Sequence, residues 1–417
     1  MRVTELATIA IAGSATIGVI ARPWRLPEAI WAAGGALLLV LTGLLPVSRT
    51  LIGISKGFDV YLFLIGMMLL AEVAGRQGLF DWLAHHAVTY ARGSPRRLFS
   101  LIYAVGTVVT VFLSNDATAV VLTPAVYAVA KVARAEPLPY LLICAFIANA
   151  ASFVLPISNP ANLVVFAHHL PGLPHWLARF ALPSALAIVA TYATLRFTQR
   201  HTLCCEIAAE VEAAPLGAGG PIAAVGIVTT ILLLLIASSL QLRLGLPTCL
   251  AALATVGLVM TRTRETPWSY LRPLSWSILP LVAGLFVLVE ALGTVGLLRH
   301  ISEALQALAR EAPAQAPWVA GILTALIANL ANNLPTGLVA GAAIHAAQSP
   351  RQIAAAVVIG VDLGPNLSVT GSLATILWLA ALRREGQSVS ALAFLRIGCI
   401  VMPVALLLAL AGLAIAT

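Results

Sequence analysis

Apolar segments of about 20 residues follow one another from end to end of this 417-residue chain, and that is the length an α-helix needs to cross the hydrocarbon core of a bilayer. Only 10% of the residues are charged, where an average soluble domain has about 25%. The chain therefore reads as an all-α, polytopic membrane protein, without the weak period-two alternation of barrel strands. Its longest polar connection runs from Thr198 to Gly220 and is too short to fold alone. Spans are expected near 4–21, 27–46, 58–78, 137–166, 175–198, 219–240, 245–262, 274–297, 351–381 and 389–415. The first lacks a basic leader and a small-residue cleavage site, so it is expected to be retained.

Four polar breaks interrupt the apolar pattern: SNDATA from Ser114, NAASFVLPISNPAN from Asn149, NLANNLPT from Asn329 and DLGPNLSVTGSLAT from Asp362. An ionised Asp inside a span costs roughly 2.5–3.5 kcal/mol on insertion scales, so such residues are expected to face a cavity, an ion or a substrate. The stretches 97–131 and 316–346 each hold two arms around a polar tip, with arms such as 98–113 and 119–130 shorter than a full span. They read as re-entrant hairpins, whose tips protein or a water-filled cavity must shelter; two short spans are the rival reading.

Internal similarity organises the chain. LFLIGMMLLAEVAGRQGLF around Glu72 matches LPLVAGLFVLVEALGTVGLL around Glu290, an offset of 218 (290 − 72) that also pairs Gly75 with Gly293 and Gly78 with Gly296. NDATAVVLTPA then pairs with NNLPTGLVAGA, and NAASFVLPISNPANLVV with DLGPNLSVTGSLATILW. The chain reads as a duplication: a first repeat over 1–198, a cytoplasmic linker at 199–218 and a second repeat over 219–417. Five spans per half give an odd number of crossings, which places the halves in opposite orientations, the inverted-repeat plan of secondary transporters. Lys and Arg fall 16 to 8 in favour of the loops after spans 1, 3, 5, 7 and 9 (24 in all). Those loops should be cytoplasmic, both termini external, the 97–131 hairpin cytoplasmic and the 316–346 hairpin external. The formal net charge of +8 is then an orientation signal and not a sign of a nucleic-acid partner.

Where the breaks meet, Ser114, Asn115, Thr118, Asn149, Ser158, Asn159, Asn162, Asn332, Asn333, Thr336, Asn366, Thr370, Ser372 and Thr375 would supply mixed hydrogen-bond donors and acceptors to a substrate. Half-helices opening after Asp116, Pro160, Pro335 and Gly371 would direct unpaired N–H groups inward. Pro156, Pro160, Pro335 and Pro365 would hold the breaks open. Capped, kinked helices are the plainer reading of any single break. Asp116 and Asp362 are the candidate proton carriers. Glu72 and Glu290, placed alike in the two repeats, brace the hairpins or form an accessory proton path. His168, His169 and His345 are minor proton-relay candidates or interfacial residues. Five Cys, with adjacent Cys204 and Cys205, have neither metal-ligand nor disulfide spacing. No metal site or cofactor is expected, and no GxxxxGK[ST] occurs, so the chain itself does not hydrolyse ATP.

SNDATAVVLTPAVYAVAKV together with FVLPISNPANLVVF resembles the ion transporter superfamily, and within it the arsenical pump (ArsB) branch. Dicarboxylate members carry Ser-Asn-Thr at both tips. Here Asp116 takes the third position and the second tip reads Asn332-Asn333-Leu334, which argues against that branch. The resemblance implies a plasma-membrane transporter, not an enzyme, that exports arsenite and antimonite as neutral trihydroxides in exchange for protons, with or without a separate cytoplasmic ATPase. A sodium/proton antiporter is the alternative.

Overall fold

A computed structural model describes residues 3–21, 23–166, 170–204, 206–208 and 215–416. Among them there is no strand. The first half runs α1 (Val3–Ala21), α2 (Glu28–Leu41), α3 (Val47–Lys56), α4 (Phe58–Arg76), α5 (Leu79–Ala91) and α6 (Pro95–Phe112). Next come α7 (Asn115–Ala117), continued through a π-turn at Thr118–Leu122 into α8 (Thr123–Val132), then α9 (Leu138–Ala150), α10 (Pro160–Val165) and α11 (Leu173–Thr198). The second half repeats that order: α12 (Gly220–Ser239), α13 (Gly245–Thr263), α14 (Pro267–Leu271), α15 (Ile278–Thr294), α16 (Leu297–Glu311) and α17 (Ala316–Ala331). It closes with α18 (Asn333–Ala347), α19 (Arg351–Leu363), α20 (Leu373–Arg384) and α21 (Ala391–Ala416).

Six of these helices, α4, α6, α11, α12, α13 and α21, are each long and apolar enough to cross a membrane, and α15 with α16 counts as a seventh when taken as one bent span. The expected segment 137–166 is two helices, α9 and α10, and 351–381 is α19 and α20. Four helices stand where loops or the ends of spans were expected: α3, α5, α14 and α16. The turns into α5 and α16 share one cause. Gly78 at φ 72° and Gly296 at φ 79° take the left-handed conformation that glycine adopts without a Cβ clash, and α16 leaves α15 at 77°. The arm α6 begins at Pro95, with Ser94 as its cap (Oγ accepts from Arg97 N at 3.4 Å), and is longer than the expected 98–113.

Packing across the halves is reciprocal. α4 lies along α13 of the second half, and α15 lies along α2 of the first. At the first contact a Cβ on Gly66 would fall 2.7 Å from the Thr248 carbonyl carbon; at the second, one on Gly284 would fall 2.6 Å from that of Ala32. These glycines are 218 residues apart (284 − 66), the offset found in the sequence, and each lets two backbones touch. α11 and α21 pack on one another in the same way.

The loops collect at two ends. At one, Gln77 donates to Tyr270 Oη (3.1 Å) and accepts from Gly219 N (3.0 Å), while Ile207 N reaches Gly93 O (3.2 Å) and Ala208 N reaches Ala133 O (2.9 Å). At the other, Gly172, Gln241, Gln348 and Arg351 line one cavity. Large apolar side chains of α12, α13 and α17, among them Val225, Leu250 and Leu330, face outward, as lipid contact requires.

Candidate functional site

Both hairpins reverse sharply at their tips. Thr110 and Thr118 share a hydrogen bond of 2.8 Å between their hydroxyls, a contact open only to a chain that turns back between them. The second tip turns at Asn332, φ 67°, and Asn333 N donates to Gly371 O at 2.9 Å, tying the tip to the second broken span.

Four helices start at one place, each capped by a residue of the polar breaks. Ser114 Oγ accepts from Ala117 N (3.2 Å) and Asn159 Oδ1 from Ala161 N (3.0 Å). Asn332 Oδ1 accepts from Leu334 N (3.3 Å) and Ser372 Oγ from Thr375 N (3.3 Å). The central cavity is ringed by those first turns: Asn115 and Asp116, Asn159 and Pro160, Asn333 and Leu334, Leu373 and Ala374, closed by Leu64, Ile278 and Val282. Helix N-termini carry partial positive charge and unpaired N–H groups, so this cavity favours electron-rich oxygen. No Lys, Arg or His lines it among the described residues; Asp116 is its ionisable group. Asn333 Oδ1 has no partner.

The cavity holds about 10 Å³, room for a single water. It shares Leu64, Asp116, Pro160 and Ile278 with a cleft of about 70 Å³ that adds Glu72, Ser114, Met67 and Met68. A larger cleft of about 310 Å³ holds Arg49, Lys56 and Glu290 and has no lining residue in common with the central cavity. The central cavity thus adjoins the Glu72 cleft and shares no wall residue with the Glu290 cleft among the described residues.

Asn115, Asp116, Asn159 and Asn333 line the cavity, with Ser114 at its mouth. Asn332 and Ser372 act through their caps. Thr118 is spent in the hairpin reversal. Behind the cavity, Asn149 donates to Asn366 Oδ1 (3.0 Å) and more weakly to Thr375 Oγ1 (3.5 Å), joining the two broken spans. Ser158 donates to Val111 O (2.7 Å), and Asn162 Nδ2 to Ser152 O (2.8 Å), so both fix the first break. Thr336 is buried with its hydroxyl unpartnered, whereas Thr370 is exposed and pairs with Ser368 (3.1 Å). Asp362 sits one residue back: its Oδ1 accepts from Asn159 Nδ2 at 2.7 Å and its Oδ2 has no partner.

The two repeat-related glutamates differ. Glu290 is gripped by Lys56 (2.7 Å) and Arg49 (3.3 Å), whereas Glu72 lines the cleft beside Asp116. Sequence reasoning missed that grip, although Arg49 and Lys56, seven residues apart, share one face of a helix. His345 lies at the end of α18 in a different cavity. His168, His169 and Cys205 lie outside the described residues, and no group of three metal-ligating side chains occurs among the described ones.

Residues 11–360 match the citrate transporter family, CitMHS. The chain belongs to that family. This CitMHS chain is 28% identical over 398 residues to the arsenical pump membrane protein of Escherichia coli, covering 92% of this chain and 93% of the relative. It is also 28% identical over 363 residues to that of Yersinia enterocolitica, with coverage of 84% and 85%. The arsenical pump resemblance of the SNDATA and LPISNPAN stretches thus extends along most of the chain. In fold, the CitMHS chain is similar to the YdaH transporter of Alcanivorax borkumensis, with a TM-score of 0.58 over 91% of this chain and 89% of that one, at 16% identity. The chain is a multi-pass membrane transporter.

Proposed function

We propose that the chain exports arsenite and antimonite, as neutral trihydroxides, in exchange for protons, through alternating access to the central cavity. One observation carries this reading: the cavity combines four helix starts and three amides with a carboxylate and no cationic side chain among the described residues. A neutral solute with several hydroxyls suits such mixed donors and acceptors. The family's description names citrate, but a citrate trianion would meet the Asp116 carboxylate with no counter-cation to hold it. Among the relatives that match along 84–92% of the chain are arsenical pump membrane proteins.

A neutral solute moving alone only equilibrates. Exchange for one proton at about 100 mV supplies roughly 2.3 kcal/mol, or about a fifty-fold gradient. Asp116 and Asp362 are the carriers in this reading: neither has an ion-pair partner among the described residues, and Asn159 links one to the cavity wall. The two halves act as inverted repeats in the plasma membrane. The Glu72 cleft opens to the cytoplasm and the Glu290 cleft to the outside, with both termini external. The unpartnered Asn333 Oδ1, on the same cavity wall as the Asp116 carboxylate, favours a second reading, sodium/proton exchange.

Inside-out vesicles with an imposed pH gradient test this. Arsenite should accumulate, and Asp116→Asn and Asp362→Asn should abolish uphill accumulation. Citrate or sodium flux without arsenite flux would overturn the assignment; unchanged accumulation in both variants would remove the proton carriers.

A further inference from the structure

The largest cavity described here lies apart from the transport path. It measures about 380 Å³ and is lined by Arg179, Arg351, His175, Gln241, Gln348 and Ser349, backed by apolar Phe166 and Ile344. No Asp or Glu lines it among the described residues. Arg179 stands six residues into α11, roughly 9 Å along the helix, and α11 is one of the helices able to cross the membrane. A charged side chain at such a place normally faces a partner of opposite charge, yet among the described residues no salt bridge reaches Arg179 and its Nε is buried without a hydrogen bond. Ser349 Oγ, on the same wall, is also buried and unpartnered.

Two helices begin here. α11 after Gly172 and α19 after Pro350 both lack a side-chain cap, so their first N–H groups add to the positive field. α18 ends at the same cavity, but its Ile344 and His345 carbonyls already accept from Ser349 N (3.1 Å) and Gln348 N (3.2 Å).

We propose that this cavity binds a phosphate-bearing anion, with Arg179 and Arg351 as its ligands and Ser349 as a hydrogen-bond donor. Two guanidinium groups suit phosphate oxygens in geometry as well as charge. The phosphate belongs either to an anionic phospholipid headgroup or to a free anion. The apolar wall and the exposed Leu177 and Leu182 of α11 offer a path for acyl chains in the first case. The site is independent of what the central cavity carries.

The test is thermal unfolding of the full chain in detergent with added phosphatidylglycerol, phosphatidylcholine or inorganic phosphate at matched ionic strength. The proteins compared are wild type, Arg179→Gln, Arg351→Gln and the exposed control Arg310→Gln. Phosphatidylglycerol raising Tm by about 2–4 °C in wild type and R310Q, but not in R179Q or R351Q, supports the site with a lipid ligand. The same pattern with inorganic phosphate supports it with a free anion. Should R179Q misfold, Arg179→Lys keeps the charge and is expected to retain a weakened shift. No shift in wild type, or equal shifts in all four proteins, overturns the proposal.

Discussion

Replacing Asn149 by Ala separates a strut from a substrate ligand. Asn149 Nδ2 donates to Asn366 Oδ1 at 3.0 Å, and Asn366 Nδ2 in turn donates to Phe146 O at 3.0 Å; both asparagines are fully buried. In N149A the Asn366 Oδ1 loses its donor. An orphaned buried acceptor costs about 1–3 kcal/mol, toward the lower end in a membrane, where hydrogen-bond cycles average about 0.6 kcal/mol. Asn149 Oδ1 has no partner to lose. The expected loss is therefore about 1–2 kcal/mol. N366A carries a similar cost, because it strips the partner from Asn149 and from Phe146 O. The double variant leaves neither side-chain amide of the pair orphaned, although Phe146 O still lacks its Asn366 donor, so its cost falls short of the sum by about 0.5 kcal/mol or more. Denaturant unfolding in detergent measures the cycle, and arsenite efflux against concentration measures affinity. Asn149 does not line the cavity, so KM should hold while stability falls. Strictly additive costs, or a raised KM at unchanged stability, would refute the reasoning.

Other expectations follow from the same contacts. Glu290→Gln should cost less than about 1 kcal/mol, since Lys56 and Arg49 are 43% and 56% exposed, and efflux should persist; a collapse in folding would show the grip to be essential. Glu72→Gln, beside Asp116, should change the pH profile of efflux more than E290Q does, and equal profiles would argue against the Glu72 cleft as the path. Gly364→Ala would drive a Cβ into the Ala325 backbone, an overpacking cost of about 1–3 kcal/mol. It should lower Tm, and an unchanged Tm would mean that α17 and α19 separate readily.

The polar breaks were legible because amides and carboxylates inside apolar runs need a physical excuse. Four of those residues, Ser114, Asn159, Asn332 and Ser372, are the caps of the four converging helices. Their sorting into wall, cap and strut was not legible. Composition makes Asn149 and Asn159 alike, and only the fold places one against Asn366 and the other on the cavity. Thr370 stayed outside because the loop Leu367–Thr370 carries it to the surface. α5 and α16 escaped notice because their charges and histidines mask the helical pattern once hydropathy alone is followed. The Glu290–Lys56 contact joins residues 234 apart in sequence, beyond any local signal.

The crossed seating of α4 on α13 and of α15 on α2 has a consequence for biogenesis. Neither half has a complete interior by itself. As the amino-terminal portion emerges into the bilayer, the flank around Gly66 must wait for a helix translated almost two hundred residues later. Until α13 arrives, that flank lies open to lipid and to quality-control proteases. A chain severed between α11 and α12 should accumulate only when both pieces are made in the same cell.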